Sequence, residues 1–185
     1  PALRERDQDL DGVEAEVIYG ILGISAAYGV QSPWSISSGS HPIADSRVMD
    51  AEALAMVYEI YNEWIAEFCA NAPSRFVGIA CISGTSPEVA SKQLRRAADI
   101  GLRGAELDVS SVIEPLYHQE WDPVWATAAE CNMPISFHTL GLPHRQPKQS
   151  DREAYRWVNA GLLFTLFQLS GAEFLASIIF SGACD

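Results

Sequence analysis

The spacing of three short apolar segments constrains the fold of this chain more than any other feature of its sequence. The segments begin at residues 76, 104 and 134, so their starts are 28 and 30 residues apart. That distance is the length of one strand followed by one crossover helix. Such alternation predicts parallel strands with right-handed crossovers, and therefore an α/β fold. The spacing leaves open whether the sheet is open or closed into a barrel.

Helix signals lie between these segments, where the alternation requires them. The segment Phe76–Ile82 is continuously apolar, which is typical of a strand covered on both faces. Residues 86–88 (Ser-Pro-Glu) predict a helix start with the serine as N-cap, and Gly101 predicts the end of that helix. Asp122 followed by proline predicts a second helix start, again with the aspartate as N-cap.

The part of the chain before residue 76 combines helical, strand and loop patterns. Residues 3–12 predict a polar helix that ends near Gly12, and residues 13–19 alternate as a strand does. Residues 20–41 are rich in Gly, Ser and Pro and predict a long irregular loop. A helix is predicted from Asp50 onward, because apolar side chains recur along it at three- and four-residue intervals: Leu54, Val57, Tyr58, Tyr61, Ile65 and Phe68.

Composition narrows the class of protein. The chain has 185 residues, enough to bury a core as one domain, and its net charge of −12 argues against nucleic acid as a partner. The four cysteines are scattered, which is typical of reduced thiols in a cytosolic protein. Residues 152–180 are predicted to be mainly helical, and polar side chains interrupt their most apolar part, so a membrane span is not expected. We therefore predict a soluble, cytoplasmic protein.

A histidine and an aspartate end two of the predicted strands. His138 follows the strand residues Pro134–Phe137, and Asp108 ends the segment 104–108. In barrels of alternating strands and helices, the loops after the strands converge on the face where the chemistry takes place. His138 is therefore a candidate metal ligand, and the alternative is a buried histidine bonded to the backbone. For Asp108 a cap or loop hydrogen bond is the default, and a role beside a metal ligand is the alternative.

Other residues have a functional and a structural interpretation. His144 lies in the loop after His138 and is a candidate substrate-binding residue for an anionic substrate, although a solvated loop histidine is the commoner case. His118 is predicted to be structural. Cys81 is predicted to be a packing residue rather than a nucleophile, because no basic residue stands near it in the sequence. Trp121 and Trp125 are predicted to belong to the core.

Several motifs together resemble a known family, the amidohydrolase-related (amidohydrolase 2) metal-dependent enzymes that include aminocarboxymuconate-semialdehyde decarboxylase. The motifs extend across nearly the whole chain, and none of them is specific alone. They are Asp11–Tyr19, Tyr61–Trp64, Arg75–Ile79, Leu102–Gly104, Tyr117, Trp121–Trp125 and Pro134–His138. The resemblance implies a distorted (β/α)₈ TIM barrel, of which this chain would be an internal fragment covering about strands 2 to 5 with their helices. Residues 1–185 would then be part of a single barrel domain that is incomplete at both ends.

The resemblance also implies a function. The full-length protein would be a metal-dependent hydrolase or non-oxidative decarboxylase (carboxy-lyase) that acts on a small organic acid or a related compound. His138 corresponds to the family's metal-binding histidine on strand 5. The cofactor would be a divalent metal, with zinc expected. A homo-oligomer of the full-length protein is compatible with the resemblance, and neither nucleic acid nor membrane is expected as a partner.

The chain departs from the family pattern in one important respect. The family's His-x-His metal pair on strand 1 does not occur anywhere in this sequence. One ligand cannot hold a catalytic metal, so the fragment alone is expected to have little or no activity. The alternative interpretation is a non-catalytic α/β binding or assembly module with His138 as a core residue. The enzyme interpretation requires further coding sequence on both sides, whereas the module requires a natural start and stop at the present ends.

Overall fold

The computed structural model describes residues 1–20, 51–108, 112, 116–137, 172 and 175–183. Its helices and strands alternate after residue 50 as the sequence predicts. In chain order they are α1 (Ala2–Asp11), β1 (Glu16–Ile18), α2 (Ala51–Ala70), β2 (Phe76–Gly78), β3 (Ala80–Ser83), α3 (Pro87–Asp99), β4 (Ala105–Asp108), a 3₁₀ helix (Gln119–Trp121), α4 (Asp122–Glu130) and β5 (Ile135–Phe137). Residues 175–180 are also helical.

The strands form two parallel sheets that share one segment of chain. β1 pairs with β2, and β3, β4 and β5 follow one another in the second sheet. The strand predicted over residues 76–82 is therefore present, but it is divided at Ile79. Its first half bonds to β1 and its second half to β4, because the Ile79 N–H donates to Ile18 O and the Ala80 N–H donates to Gly104 O, both at 2.9 Å. The predicted α/β fold with parallel strands is confirmed.

Glycine at position 78 allows the close approach of Leu102 and of α2. A Cβ atom at Gly78 would lie 2.8 Å from a methyl carbon of Leu102, 3.1 Å from Cys69 Sγ and 3.3 Å from Ile65 Cγ1. Ile65 and Cys69 belong to the buried side of α2, so the C-terminal half of this helix packs directly on β2. A larger residue at position 78 would push the helix away from the sheet.

Helix α3 begins and ends where its sequence predicts. Ser86 is the N-cap, and its Oγ accepts a hydrogen bond of 3.5 Å from the Val89 N–H. Gly101 follows the helix with φ +90°, a left-handed conformation that glycine adopts without strain. Ala90, Leu94 and Ala97 form the buried side of this helix and pack in one cluster with the helix-facing residues of the sheet, and Ala98 is partly buried against that cluster.

The start of α4 differs from the prediction for Asp122. This aspartate was expected to be the N-cap, but it has helical dihedral angles (φ −53°, ψ −41°) and is the first residue of α4. The preceding 3₁₀ turn leads directly into the helix, so the N-cap position falls on Trp121 and has no side-chain cap. Trp121 is fully buried and stacks on Trp125 with ring centroids 6.0 Å apart, which confirms its predicted place in the core.

The second sheet has one apolar face and one polar face. Alternate residues of β3 and β4, including Ile82, Ala105 and Leu107, pack in the core cluster with α3 and α4. The opposite face, called the inner face below, presents Cys81 and Ser83 of β3, Glu106 and Asp108 of β4, and Ser136 of β5. In the part of the chain that the structure describes, no helix is both long and apolar enough to cross a membrane.

Candidate active site

The inner face collects polar side chains near the C-terminal ends of the strands. In the parallel register Cys81 is the partner of Glu106, Ser83 is the partner of Asp108, and Glu106 is the partner of Ser136. Side chains of register partners point to the same face of a sheet. Glu106 therefore lies between Cys81 and Ser136 of the two neighbouring strands, and Asp108 lies beside Ser83. This arrangement makes the inner face the candidate active site.

Asp108 occupies the end of β4, as predicted, and is almost completely buried, with 2% of its surface exposed. The Tyr58 hydroxyl of α2 donates a hydrogen bond of 2.7 Å to Asp108 Oδ2. Tyr58 is itself only 1% exposed, so this bond is shielded from water. The sequence did not predict this partner, which comes from a helix 50 residues earlier in the chain.

Glu106 is the second buried carboxyl group of the inner face. It is 2% exposed, and within the described residues its Oε2 atom has no hydrogen-bond partner. Burial, followed by repulsion from the charge of Asp108, raises the pKa of Glu106 to about 7. Glu106 therefore exchanges its proton near neutral pH, which is unusual for a glutamate.

Helix α2 completes the edge of β3 beyond the point where β1 ends. The buried Asn62 side chain accepts a 2.7 Å hydrogen bond from the Cys81 N–H and donates one of 2.9 Å to the Cys81 carbonyl. Two residues further along β3, the Ser83 N–H donates to Oε1 of Gln93 on α3 at 2.8 Å. Gln93 Nε2 in turn donates to the Ala55 carbonyl of α2 at 3.1 Å. Side-chain amides thus satisfy backbone groups that a neighbouring strand would otherwise bind.

Two tyrosines connect β1 and α2 to the inner face. The Tyr61 hydroxyl donates to the Tyr19 carbonyl at 3.3 Å, and the Tyr19 hydroxyl lies 3.4 Å from Ser136 Oγ on β5. Burial raises the pKa of Tyr61 to about 12, with smaller contributions from Cys81, Cys69 and Glu106. Tyr61 therefore stays protonated at neutral pH and remains a hydrogen-bond donor.

Of the three histidines considered in the sequence analysis, the structure describes only His118. β5 ends at Phe137, so the predicted metal ligand His138 lies outside the described residues, as does the candidate substrate-binding residue His144. His118 is exposed, and its backbone carbonyl accepts a 3.0 Å bond from the Trp121 N–H. Cys81 is buried in β3, as its predicted packing role requires. Among the described residues, no group of three or more His, Cys, Asp or Glu side chains could hold a metal ion.

Glu106, Tyr58 and Asn62 belong to this site but were not predicted from the sequence. Glu106 left a usable signal, because an acidic residue in the middle of a short buried strand is uncommon unless it has a function. Tyr58 was recognised as part of the buried stripe of α2, but its hydroxyl partner was not. Asn62 interrupts that stripe with a polar residue, yet it is as buried as the apolar members Leu54 and Ile65.

A large open cavity of about 940 Å³ lies elsewhere in the molecule. Its walls include Leu102 and Arg103 before β4, and Asn132, Pro134 and Ile135 at the start of β5. It is therefore at the N-terminal ends of the strands, away from the two carboxyl groups. We assign the candidate active site to the inner face because chemistry in such folds takes place at the opposite ends of the strands.

The bond between Tyr58 and Asp108 makes a measurable contribution to stability. Tyr58→Phe is expected to lower the free energy of unfolding by about 2 kcal/mol, because it keeps the ring but removes the hydroxyl that donates to a buried carboxyl group. Urea unfolding of the full-length protein measures the change. Tyr61→Phe is the matched control on the same helix, and its longer bond of 3.3 Å should contribute less. Equal losses in the two variants would contradict the assigned bond.

Comparison with known proteins identifies the family. The sequence model described as amidohydrolase matches residues 37–172, which is most of the chain. This chain belongs to the amidohydrolase family. This match confirms the family resemblance predicted from the sequence motifs. Two curated proteins similar to this chain are gamma-resorcylate decarboxylases. One, from Polaromonas sp. (strain JS666), is 33% identical over 103 residues. The other, from Rhodococcus jostii (strain RHA1), is 30% identical over 104 residues.

The amidohydrolase chain is shorter than these relatives. Each comparison covers 51% of this chain, and the chain spans 29% and 30% of the length of the two decarboxylases. The Polaromonas and Rhodococcus proteins thus extend well beyond the matched part.

Several solved structures share its fold. The 5-carboxyvanillate decarboxylase from Novosphingobium aromaticivorans, determined with bound manganese and 3-methoxy-4-hydroxy-5-nitrobenzoic acid, superposes with a TM-score of 0.59 at 20% identity, over 86% of this chain and 38% of that one. An amidohydrolase from Mycobacterium avium subsp. paratuberculosis has a TM-score of 0.60 at 18% identity, over 97% of this chain and 43% of that one. The predicted fold, a part of a (β/α)₈ barrel, is confirmed.

Proposed function

We propose that the full-length protein is a metal-dependent carboxy-lyase that removes carbon dioxide from a small hydroxybenzoate-type acid. The observation that carries the proposal is the 33% identity to a gamma-resorcylate decarboxylase over 103 residues, a segment that includes half of this chain. A structural neighbour, a dihydroxybenzoic acid decarboxylase from Polaromonas sp. JS666, was solved with manganese and the inhibitor 2-nitroresorcinol. Decarboxylation is therefore favoured over hydrolysis, the other reaction that the motifs imply.

The inner face fits a divalent cation electrostatically. Two buried carboxyl groups, Glu106 and Asp108, stand on it, and no described lysine or arginine contributes to the pKa shift of Glu106. The described residues do not make a complete set of ligands, so the proposal needs ligands from elsewhere. We assign one of them to His138, which follows Phe137 directly in the sequence and matches the metal-binding histidine that the family resemblance implies.

The metal would supply Lewis-acid chemistry by binding oxygen atoms of the substrate. Its identity is part of the proposal. Zinc suits a site of imidazole and carboxylate ligands, as the sequence-based expectation states, while manganese is the metal named for two of the structural neighbours. Elemental analysis of the purified full-length protein distinguishes the two.

The remaining assignments concern substrate binding, cellular location, oligomeric state and domain organisation. We propose that His144, close in sequence to Arg145 and Lys148, binds the substrate's anionic group. The acidic net charge of −12 supports a small-molecule substrate rather than nucleic acid. A cytoplasmic location, a homo-oligomer and a single barrel domain that includes residues 1–185 stay predictions of the sequence.

Metal removal tests the proposed function. The metal-stripped full-length protein is expected to lose at least about 100-fold of its turnover of 2,6-dihydroxybenzoate and to regain it with zinc or manganese, because the metal stabilises charge on the reacting acid. Carbon dioxide release measures turnover, and elemental analysis measures the bound metal. His138→Ala should lose metal and turnover together, whereas His118→Ala, which alters an exposed residue, should retain both.

Two results would contradict these assignments separately. Full metal content in His138→Ala would show that His138 is not a ligand. Failure of the metal-loaded wild-type protein to release carbon dioxide from any hydroxybenzoate, combined with hydrolysis of an ester or amide, would replace the carboxy-lyase by the hydrolase.

A further inference from the structure

Two hydroxyl groups meet across the inner face and have no role in the site as assigned so far. Tyr19 directly follows β1, Ser136 is the middle residue of β5, and β3 and β4 lie between these two strands. The Tyr19 hydroxyl nevertheless lies 3.4 Å from Ser136 Oγ. Tyr19 and Ser136, called the hydroxyl pair below, therefore connect β1 to β5 at the candidate active site.

The backbone next to Tyr19 is held close to β3 and α2. A Cβ atom at Gly20 would overlap Cys81 Sγ and would lie 2.9 Å from Tyr61 Cε1, so glycine at this position allows the chain to approach the inner face. The Tyr61 hydroxyl also donates to the Tyr19 carbonyl at 3.3 Å. These contacts fix the point where the chain leaves β1, and the Tyr19 side chain extends from there to β5.

The hydroxyl pair retains hydrogen-bonding capacity for a ligand. Its distance of 3.4 Å is longer than the usual O–H···O distance of about 2.7 to 2.8 Å, so the two groups hold each other only weakly. A hydroxyl group donates one hydrogen bond and accepts up to two. Tyr19 is 52% exposed and Ser136 is partly buried, so an oxygen atom of a ligand can reach both groups.

The charges around the hydroxyl pair favour a neutral polar group over an anion. Ser136 is the register partner of the buried Glu106, and Asp108 stands two residues further along β4. Among the described lysine and arginine side chains, Arg103 lines the cavity at the opposite ends of the strands, and the others form ion pairs with carboxylates outside the inner face. An anionic group beside Ser136 would therefore meet carboxyl groups without a described cation to offset them. A phenolic hydroxyl is neutral, and it both donates and accepts.

We propose that the hydroxyl pair binds the second ring hydroxyl of a dihydroxybenzoate, the one that the metal leaves free, and makes the protein selective for dihydroxylated substrates. This inference rests on the proposed function. The ring hydroxyl donates to one member of the pair and accepts from the other, while the carboxylate of the substrate is left for the metal and His144. A substrate without this hydroxyl leaves the two groups poorly paired inside the site, which is how a hydrogen-bonding site rejects an analogue.

The test compares Tyr19→Phe and Ser136→Ala with wild type in the full-length, metal-loaded protein. Titration calorimetry measures the binding of 2,6-dihydroxybenzoate and 2-hydroxybenzoate, and carbon dioxide release measures turnover. Each variant is expected to bind 2,6-dihydroxybenzoate about 10-fold more weakly and to have a KM higher by a similar factor, because one hydrogen bond to the substrate is lost. Binding of 2-hydroxybenzoate should change by less than about 2-fold, since it lacks the second hydroxyl. The kcat for 2,6-dihydroxybenzoate should change little.

Tyr117→Phe and Ser91→Ala are the matched controls, because they remove the same hydroxyl groups elsewhere. Tyr117 is exposed and lines a separate cavity with Phe180, and Ser91 on α3 donates to the Pro87 carbonyl. Both controls should bind the two acids as wild type does.

Three results would overturn the inference. If an active protein binds the two acids with the same selectivity in wild type, Tyr19→Phe and Ser136→Ala, the hydroxyl pair does not bind the substrate and the proposed function still stands. Equal losses for the two acids would also exclude selective binding, because they would reflect damage to the whole site. A metal-loaded wild type that releases no carbon dioxide from any hydroxybenzoate would overturn the proposed function, and the role of the hydroxyl pair with it.

Discussion

Replacement of Asn62 by alanine is expected to lower the free energy of unfolding by about 4 kcal/mol. The Asn62 amide satisfies both backbone groups of Cys81, with bonds of 2.7 Å and 2.9 Å, at a buried point of the edge of β3. Alanine removes the hydrogen bonds that Asn62 makes to a buried N–H and a buried carbonyl, and each such loss is destabilising by about 1 to 3 kcal/mol. Urea or thermal unfolding of the full-length protein measures the loss.

The control for this prediction is another asparagine of the same chain. Asn71 lies just after α2, where its exposed amide donates to the carbonyls of Glu67 and Phe68. Asn71→Ala should have a much smaller effect, because water replaces the lost bonds at an exposed helix end. If Asn62→Ala is no more destabilising than Asn71→Ala, then α2 does not complete the edge of β3 in the way described.

Replacement of Glu106 by glutamine is expected to remove a pH dependence of stability worth about 3 kcal/mol. The pKa of Glu106 rises from 4.5 in the unfolded chain to about 7 in the folded protein. The folded state therefore binds this proton more tightly than the unfolded state does. Below pH 4.5 both states hold the proton and there is no penalty, whereas stability is lost progressively as the pH rises to about 7.

Unfolding of both proteins in urea between pH 5 and pH 8 measures this effect. The stability of wild type relative to Glu106→Gln should fall over that interval, and the variant should be the relatively more stable protein at pH 8. Glu88→Gln serves as the control, since the Lys92 ammonium lowers the pKa of Glu88 and any effect should be small and opposite in sign. A pH-independent difference between wild type and Glu106→Gln would show that the folded state does not hold this proton.

Local signals in the sequence were sufficient for the framework of the fold. The serine and proline that open α3, the glycine that follows it and the apolar runs that become β2 and β3 act through the dihedral angles and burial of a few adjacent residues. Asp122 shows where such local signals become imprecise. Its sequence signal was a correct helix start, yet a preceding 3₁₀ turn moved the cap by one residue.

The candidate site could be predicted only in part. Asp108 was placed correctly at the end of its strand, because a strand end is visible in the sequence. His138 was reached through the spacing of strands and the family resemblance, and its role stays a prediction. Glu106 was overlooked, because the sequence shows that an acidic residue lies in a strand but not which face it occupies or what surrounds it.

The sequence by itself determined which segments become strands and helices, and that the strands run parallel, because these properties depend on neighbours along the chain. The tertiary structure alone decided that α2 lies along the edge of β3. That placement brings Tyr58 to Asp108 and Asn62 to Cys81, across 50 and 19 residues of chain. Such contacts depend on how a whole helix packs against a sheet, and many side chains together set that geometry.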